Sequence, residues 1–223
     1  MTGLHVTVPV ACFRKGMARE YLETEELPPP ATCYGFLLSL VGETDRRRHQ
    51  GCRVTAGLVG GTARSVVLRT IWRVKKAPLG SPGNTRPDYQ ELLTGASASS
   101  PFVELVVWFD SSEESVATPT RLESRVAVAL DPARRGQVHR FGGLSLGEST
   151  HLVDSVWTLD EVRAGELARR PYRVFLLSDE GRLTLPVWVD HVGSAGTRHV
   201  VGDLVQQELS PPLSREVPQI LPP

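Results

Sequence analysis

Lysine is nearly missing from this chain of 223 residues: Lys15, Lys75 and Lys76 are the only three among 25 basic residues. Net charge is missing as well, since 25 acidic residues balance the basic ones. That excludes a basic surface coating nucleic acid without discrimination, and any polyanion must be held by a local patch. Arginine in place of lysine suits bidentate phosphate recognition, although codon bias accounts for it equally well. Cysteine is scarce. Cys12, Cys33 and Cys52 form no CxxC pair and no metal-ligand spacing, and an odd count without a framework points to a reducing compartment. No apolar run approaches the ~18 residues of a membrane span, and residues 1–6 do not read as a signal peptide. The expectation is a soluble cytoplasmic protein without membrane contact, metal or cofactor.

Familiar catalytic signatures are absent too. No Gly-Lys-Ser/Thr closes a phosphate loop, and no GxGxxG with an acidic partner marks a dinucleotide site. Ser149, His151 and Asp154 lie within six residues, whereas a catalytic triad draws its members from separate elements.

Two stretches organise what remains. The first is Pro28-Pro29-Pro30-Ala31-Thr32-Cys33-Tyr34-Gly35-Phe36-Leu37-Leu38-Ser39-Leu40-Val41-Gly42. Its prolines hold the backbone extended, Thr32 is placed to cap a helix, and Gly42 to stop it in a left-handed turn. Apolar residues on every side of residues 33–41 predict a helix buried all round, with Gly35 allowing another backbone to approach. The second stretch, residues 131–151, contains Gly142-Gly143-Leu144-Ser145-Leu146-Gly147. Clustered glycines let backbone amides reach a phosphate. Arg134, Arg135 and Arg140 would neutralise it, and Ser145 and Ser149 would donate to it. The plainer reading is a tight connection.

Alternation predicts strands at residues 4–10, 53–59, 64–74, 102–109, 155–159, 172–177 and 183–189. Pro9 puts the first at an edge or ends it. Gly60-Gly61 reads as a hairpin turn between the second and third, and residues 178–181 as another between the last two. Residues 17–27 read as a polar connection. Leu122, Val126 and Leu130 lie at helical spacing within 120–130. The loop 43–50, with Arg46-Arg47-Arg48-His49, reads as solvated charge, the alternative being phosphate binding or a subunit contact. Trp72, Trp108, Trp157 and Trp188 fall in strands and read as core, the alternative being the base stacking that sheet aromatics of RRM-like folds perform. Residues 75–98 make a long excursion, and such excursions are usually functional. Lys75, Lys76 and Arg86 would form basic feet for gripping a single strand, or simply a surface loop. The tail 210–223 lacks periodicity and is expected to fray or lie on a partner.

The order strand, helix, strand, strand, strand, helix, then further strands fits an α+β, ferredoxin-like (RRM-type) core with a C-terminal β extension. A domain of this length buries about 70–75% of its unfolded surface. The division expected is one domain over residues 1–209, with an insertion at 75–100, and a proline-rich tail at 210–223.

Phe13-Arg14-Lys15, the stretch 28–42, Arg86-Pro87-Asp88-Tyr89-Gln90-Glu91-Leu92-Leu93 and the run 141–154 together resemble the CRISPR-associated Cas-five family of the RAMP superfamily, in its DevS or Myxan-type branch. The resemblance covers residues 4–190. It implies an RRM-like core with a projecting β-hairpin thumb at 75–98. It also implies a subunit at one end of a type I Cascade complex, holding the 5′ handle of the crRNA beside the backbone and large subunits. The handle would run by Phe13, Arg14 and Lys15, the helix start at Thr32 and Tyr34, and the loop from Gly142 and Gly143 through Ser145 and Gly147 to Ser149 and His151. Contact with target DNA beside the protospacer-adjacent motif is left open. One branch of the family cleaves precursor crRNA with a Tyr, an adjacent Lys-His pair and no metal. This sequence has no Lys-His dipeptide, so a non-catalytic RNA-binding subunit is expected. The alternatives are a metal-independent endoribonuclease using His139 or His151 as its base, with Tyr34 or Lys76 assisting, and a protein scaffold without RNA contact.

Overall fold

A computed structural model describes residues 1–16, 21–72, 85–115 and 120–223, with the backbone alone at 72, 85 and 86. Strand β1 (Thr2–Val8) is followed by the short β2 (Phe13–Arg14), β3 (Tyr21–Leu22) and β4 (Thr24–Glu25), then helix α1 (Pro30–Leu40). Next come β5 (Arg53–Val59), β6 (Thr62–Trp72), β7 (Thr85–Gly95), β8 (Val103–Asp110), α2 (Leu122–Leu130) and β9 (Ser155–Thr158). The chain continues through α3 (Glu161–Leu167), β10 (Tyr172–Leu177), β11 (Leu183–Trp188) and β12 (Arg198–Gln206). The main sheet runs β11-β12-β10-β5-β8-β1-β9 with antiparallel neighbours throughout. The fold is thus mixed α/β, built on a mostly antiparallel sheet with three α-helices among the described residues. None of those helices is long and apolar enough to cross a membrane.

The two-residue period of β8 divides its side chains between two cores. Leu105, Val107 and Phe109 join Leu4, Val6, Val54 and Leu58 beneath α1 and α2. Val106 and Trp108 pack instead with Tyr172, Val174 and Leu167 of α3. There the Trp108 indole donates to the Tyr172 hydroxyl at 2.6 Å. A Cβ at Gly57 would lie 2.3 Å from the Tyr172 ring, so only glycine admits that ring against β5.

Several expectations need correction. Pro30 is the first helical residue and Pro29 the N-cap, with no side-chain cap, so Thr32 sits inside α1 rather than at its start. Proline suits that position because its missing N–H would be an orphan there. The C-terminal end follows the expectation: Gly42 has φ +68°, its N–H donates to Ser39, and that of Glu43 donates to Leu38 at 2.8 Å, a Schellman closure. The helix is not buried all round. Gly35 is exposed and Ala31, Thr32 and Ser39 are half-buried. Pro9 ends β1, which lies inside the sheet between β8 and β9.

Gly60-Gly61 joins strands of different sheets. β6 pairs with β7 along eleven residues, from Thr62 opposite Gly95 to Trp72 opposite Thr85, and β7 also takes β3 alongside in parallel. The two-stranded arm therefore begins at Thr62 rather than at 75. Residues 73–84, Lys75 and Lys76 among them, lie outside the described residues, as does the Arg86 side chain. β10 and β11 do not form a hairpin either, because β12 lies between them. Trp108 and Trp188 are buried, but Trp157 is about half exposed. The tail folds onto its own chain. Val217 and Ile220 are fully buried, the Val54 amide donates to the Pro218 carbonyl at 2.9 Å, and the Ile220 amide to the Cys52 carbonyl at 2.8 Å.

One polar network ties the α1–β5 loop to α2. His49 is fully buried, with Nδ1 2.9 Å from Glu114 and Nε2 2.9 Å from the Arg125 guanidinium. Arginine only donates, so Nε2 accepts and the imidazole proton sits on Nδ1, toward Glu114. That carboxylate also accepts from the Leu122 amide at 3.0 Å, capping α2 from a distance. Arg125 completes the set with Glu43 at 2.6 Å.

Candidate nucleic-acid interface

The two organising stretches meet. The small-residue side of α1, with Thr32, Gly35 and Ser39, floors a groove of about 310 Å³. Ser145 and Gly147 form one wall, and the end of β11 at Trp188, with His191 beyond it, forms the other. Among the described residues nothing beyond its own helix stands within 4 Å of a Cβ built on Gly35, so the floor is open at its centre.

The glycine-loop wall is held from within. Leu146 is fully buried, and the Val153 amide donates to the Leu144 carbonyl at 2.9 Å. The Glu148 amide donates to the Cys12 carbonyl at 3.2 Å. Gly147, at φ +99°, passes so close to Cys12 that a Cβ would sit 2.6 Å from its carbonyl oxygen. This glycine therefore has a packing reason as well as any ligand-facing one. Gly142 and Gly143 are exposed, as is Ser149.

Other expected site residues lie elsewhere. Phe13 is fully buried, and its ring would meet a Cβ at Gly147 at 3.2 Å. Its place is beneath the loop, supporting it. Arg14 is half-buried beside it on β2. Lys15 lines a separate recess of about 230 Å³ with Arg64, Glu23, Glu25, Glu26 and Glu91, an acidic setting for a phosphate. Burial pushes the Glu25 carboxyl up. Tyr34 lines the groove but is buried, and its hydroxyl donates to the Arg46 carbonyl at 3.2 Å. Burial raises its pKa further from neutrality, so it is a poor base.

Arg134 is bound to Asp131 at 2.5 Å and lines a third recess, with His139 and Arg125, rather than the groove. Arg135 and Arg140 are exposed on the same segment. His151 is half-buried with Nδ1 enclosed and unpartnered among the described residues. Burial lowers its pKa, with Glu148 opposing and Arg69 adding to the shift. Neither His139 nor His151 is among the residues lining the groove.

Sequence reasoning missed Arg46, Trp188 and His191. Arg46 was legible within a charged loop, with phosphate binding as the lesser reading, and Trp188 as core, with base stacking as the lesser one. Nothing in the sequence brings residues 188–191 to a helix some 150 positions earlier.

No family model matches the chain. It is 51% identical, over 99% of its own length and 97% of the other's, to the CRISPR-associated protein Cas5 of Myxococcus xanthus (strain DK1622). Among solved structures, a chain of a CRISPR RNA-guided surveillance complex superposes with a TM-score of 0.60 at 14% identity, covering 96% of this chain and 95% of that one. A second, titled as the crystal structure of a Cas protein, has a TM-score of 0.47 at 14% identity and covers 98% and 97%. The structural likeness concerns the fold, whereas identity of this extent along nearly the whole sequence decides kinship: the chain belongs to the CRISPR-associated Cas5 family.

Proposed function

We propose that this chain is a non-catalytic crRNA-binding subunit of a type I Cascade complex, one that caps the 5′ handle in antiviral defence in the cytoplasm. The observation that carries the reading is the meeting of α1 and the glycine loop across one open groove. These stretches lie more than a hundred residues apart, and both belong to the motifs that resemble the family. A single strand lying there would meet the Thr32 and Ser39 hydroxyls, the uncovered Gly35 backbone and Ser145. Such contacts suit splayed, unpaired RNA better than a duplex.

β9-β1-β8-β5, with α1 following β1 and α2 following β8, supports reading these elements as the ferredoxin-like RAMP core. The arm of β6 and β7 corresponds to the thumb, facing the backbone subunit, with the large subunit as a further neighbour. The buried Tyr34 hydroxyl, already donated to the Arg46 carbonyl, favours binding over cleavage.

The test is to purify the assembly through a tag on this chain and analyse its RNA, then incubate it with labelled precursor crRNA in EDTA. Retention of handle-bearing RNA without a new cut is expected. A specific cut in the repeat would make the chain an endoribonuclease, and an assembly without RNA would overturn the reading. Gly147→Ala, which drives a Cβ into the Cys12 carbonyl, should displace the loop and reduce the RNA retained.

A further inference from the structure

The loop between α1 and β5 carries three consecutive arginines, and they differ in what they touch. Arg48 pairs with Glu43 at 3.4 Å on the α2 side. Arg46 turns toward β11. Its guanidinium carbon lies 3.8 Å from the centroid of the Trp188 ring, and its Nη2 donates to the Val189 carbonyl at 2.7 Å. Its own carbonyl is held by the Tyr34 hydroxyl. These contacts hold the guanidinium over the indole.

Arg46 also borders open space on both sides. With Trp188, Val189 and His191 it lines the groove over α1 and a second cavity of about 720 Å³. That volume is within the ~300–1,000 Å³ of small-ligand sites. Arg47 and the exposed His191 stand at the second cavity. The carboxylate there, Asp190, accepts from the amides of Val192, Gly193 and Gly196 at 3.0, 3.2 and 3.2 Å. Its oxygens are engaged within its own loop, while its charge still favours the Arg46 cation.

A guanidinium with one face on an indole has its other face to offer. Bases splayed from a single strand stack on arginine planes, and Lys, a point charge on a flexible stem, cannot replace that plane. We propose that Arg46, backed by Trp188, is a stacking platform for one unpaired base of the bound RNA, with Arg47 and His191 flanking its phosphate. This rests on the crRNA-binding reading and adds to it a base-stacking position at the junction of groove and cavity.

The experiment uses the assembly purified through a tag on this chain and reconstituted with synthetic crRNA. In a parallel set of crRNAs, each repeat-derived 5′ nucleotide is made abasic in turn. Arg46→Lys should weaken retention of intact crRNA about tenfold, as the loss of one stacked base does. It should have no further effect on the RNA abasic at one particular position. Arg46→Ala should behave alike, and the unfolding midpoint of Arg46→Lys, measured alongside, should match that of the wild type. Equal losses on every RNA, intact or abasic, would overturn stacking while leaving crRNA binding in place. An assembly that retains no crRNA even with the wild-type chain would overturn both.

Discussion

The loop of residues 43–50 faces α2 on one side and β11 on the other, and the guanidinium on each side meets opposite conditions. Toward α2, Arg125 is matched by Glu43 of the loop, and the His49 ring links Arg125 to Glu114 within hydrogen-bond reach. Toward β11, Arg46 rests on an aromatic ring and a carbonyl oxygen. Cations answered by carboxylates hold elements together and present little field outside. One answered by a ring and a carbonyl keeps its charge for whatever enters the adjoining space. The same short segment thus serves as both clamp and contact surface.

The largest effect comes from breaking the clamp. Glu114→Ala leaves the His49 Nδ1–H and the Leu122 amide without their acceptor in a buried setting, and should lower the unfolding free energy by about 3 kcal/mol in urea titrations. On the other side, Arg46→Lys should change that free energy by less than about 1 kcal/mol, with its effect on RNA retention instead.

Acid gives an intermediate effect. Burial of Glu43 works against ionisation, but the hydrogen bond from Arg125 overrides it and holds the carboxyl at about 2 against an ordinary 4.5. Glu104 is likewise held at about 2, by the His5 ring 3.4 Å away against burial and then by Arg170. Carboxyls depressed by folding stabilise above their unfolded pKa and lose that stabilisation as pH falls through the folded value. The urea midpoint should therefore fall between about pH 4.5 and pH 2, and Arg125→Gln should flatten the share due to Glu43. The smallest effect is expected for Arg48→Ala. Its partner contact is long and its side chain about half exposed, so stability should move by less than about 0.5 kcal/mol.

Local pattern made the buried strands legible. Residues 53–59 and 172–177 alternate or run apolar between clear breaks, and their bounds agree with β5 and β10. What misled was turn chemistry. Gly60-Gly61 and Ser178 to Gly181 look like hairpin turns, yet the strands they join do not pair with each other. β12 carries Gly202 at its centre, which weakens any strand signal. That glycine is needed because a Cβ there would lie 2.2 Å from the Leu176 carbonyl on β10. Of the candidate site, the α1 side and the glycine loop were legible as motifs. The β11 wall was not, because chain separation hides it. The arginines at 134, 135 and 140 looked close to the loop in sequence, but the 3₁₀ turn at Arg135–Gln137 belongs to the segment by the third recess.

The strap formed by the tail has a consequence for the order in which the protein assembles. Val217 and Ile220 complete the core beside β5, and the Arg53 side chain donates to the Val217 carbonyl across 164 positions of sequence. Contacts this distant close late, because the intervening chain must first be ordered. On the ribosome, residues 51–54 must wait through the synthesis of more than 160 further residues before their partners emerge. Until then Cys52 and Val54 lack their final cover, and the nascent chain offers an apolar seam that only Val217 to Ile220 can shut.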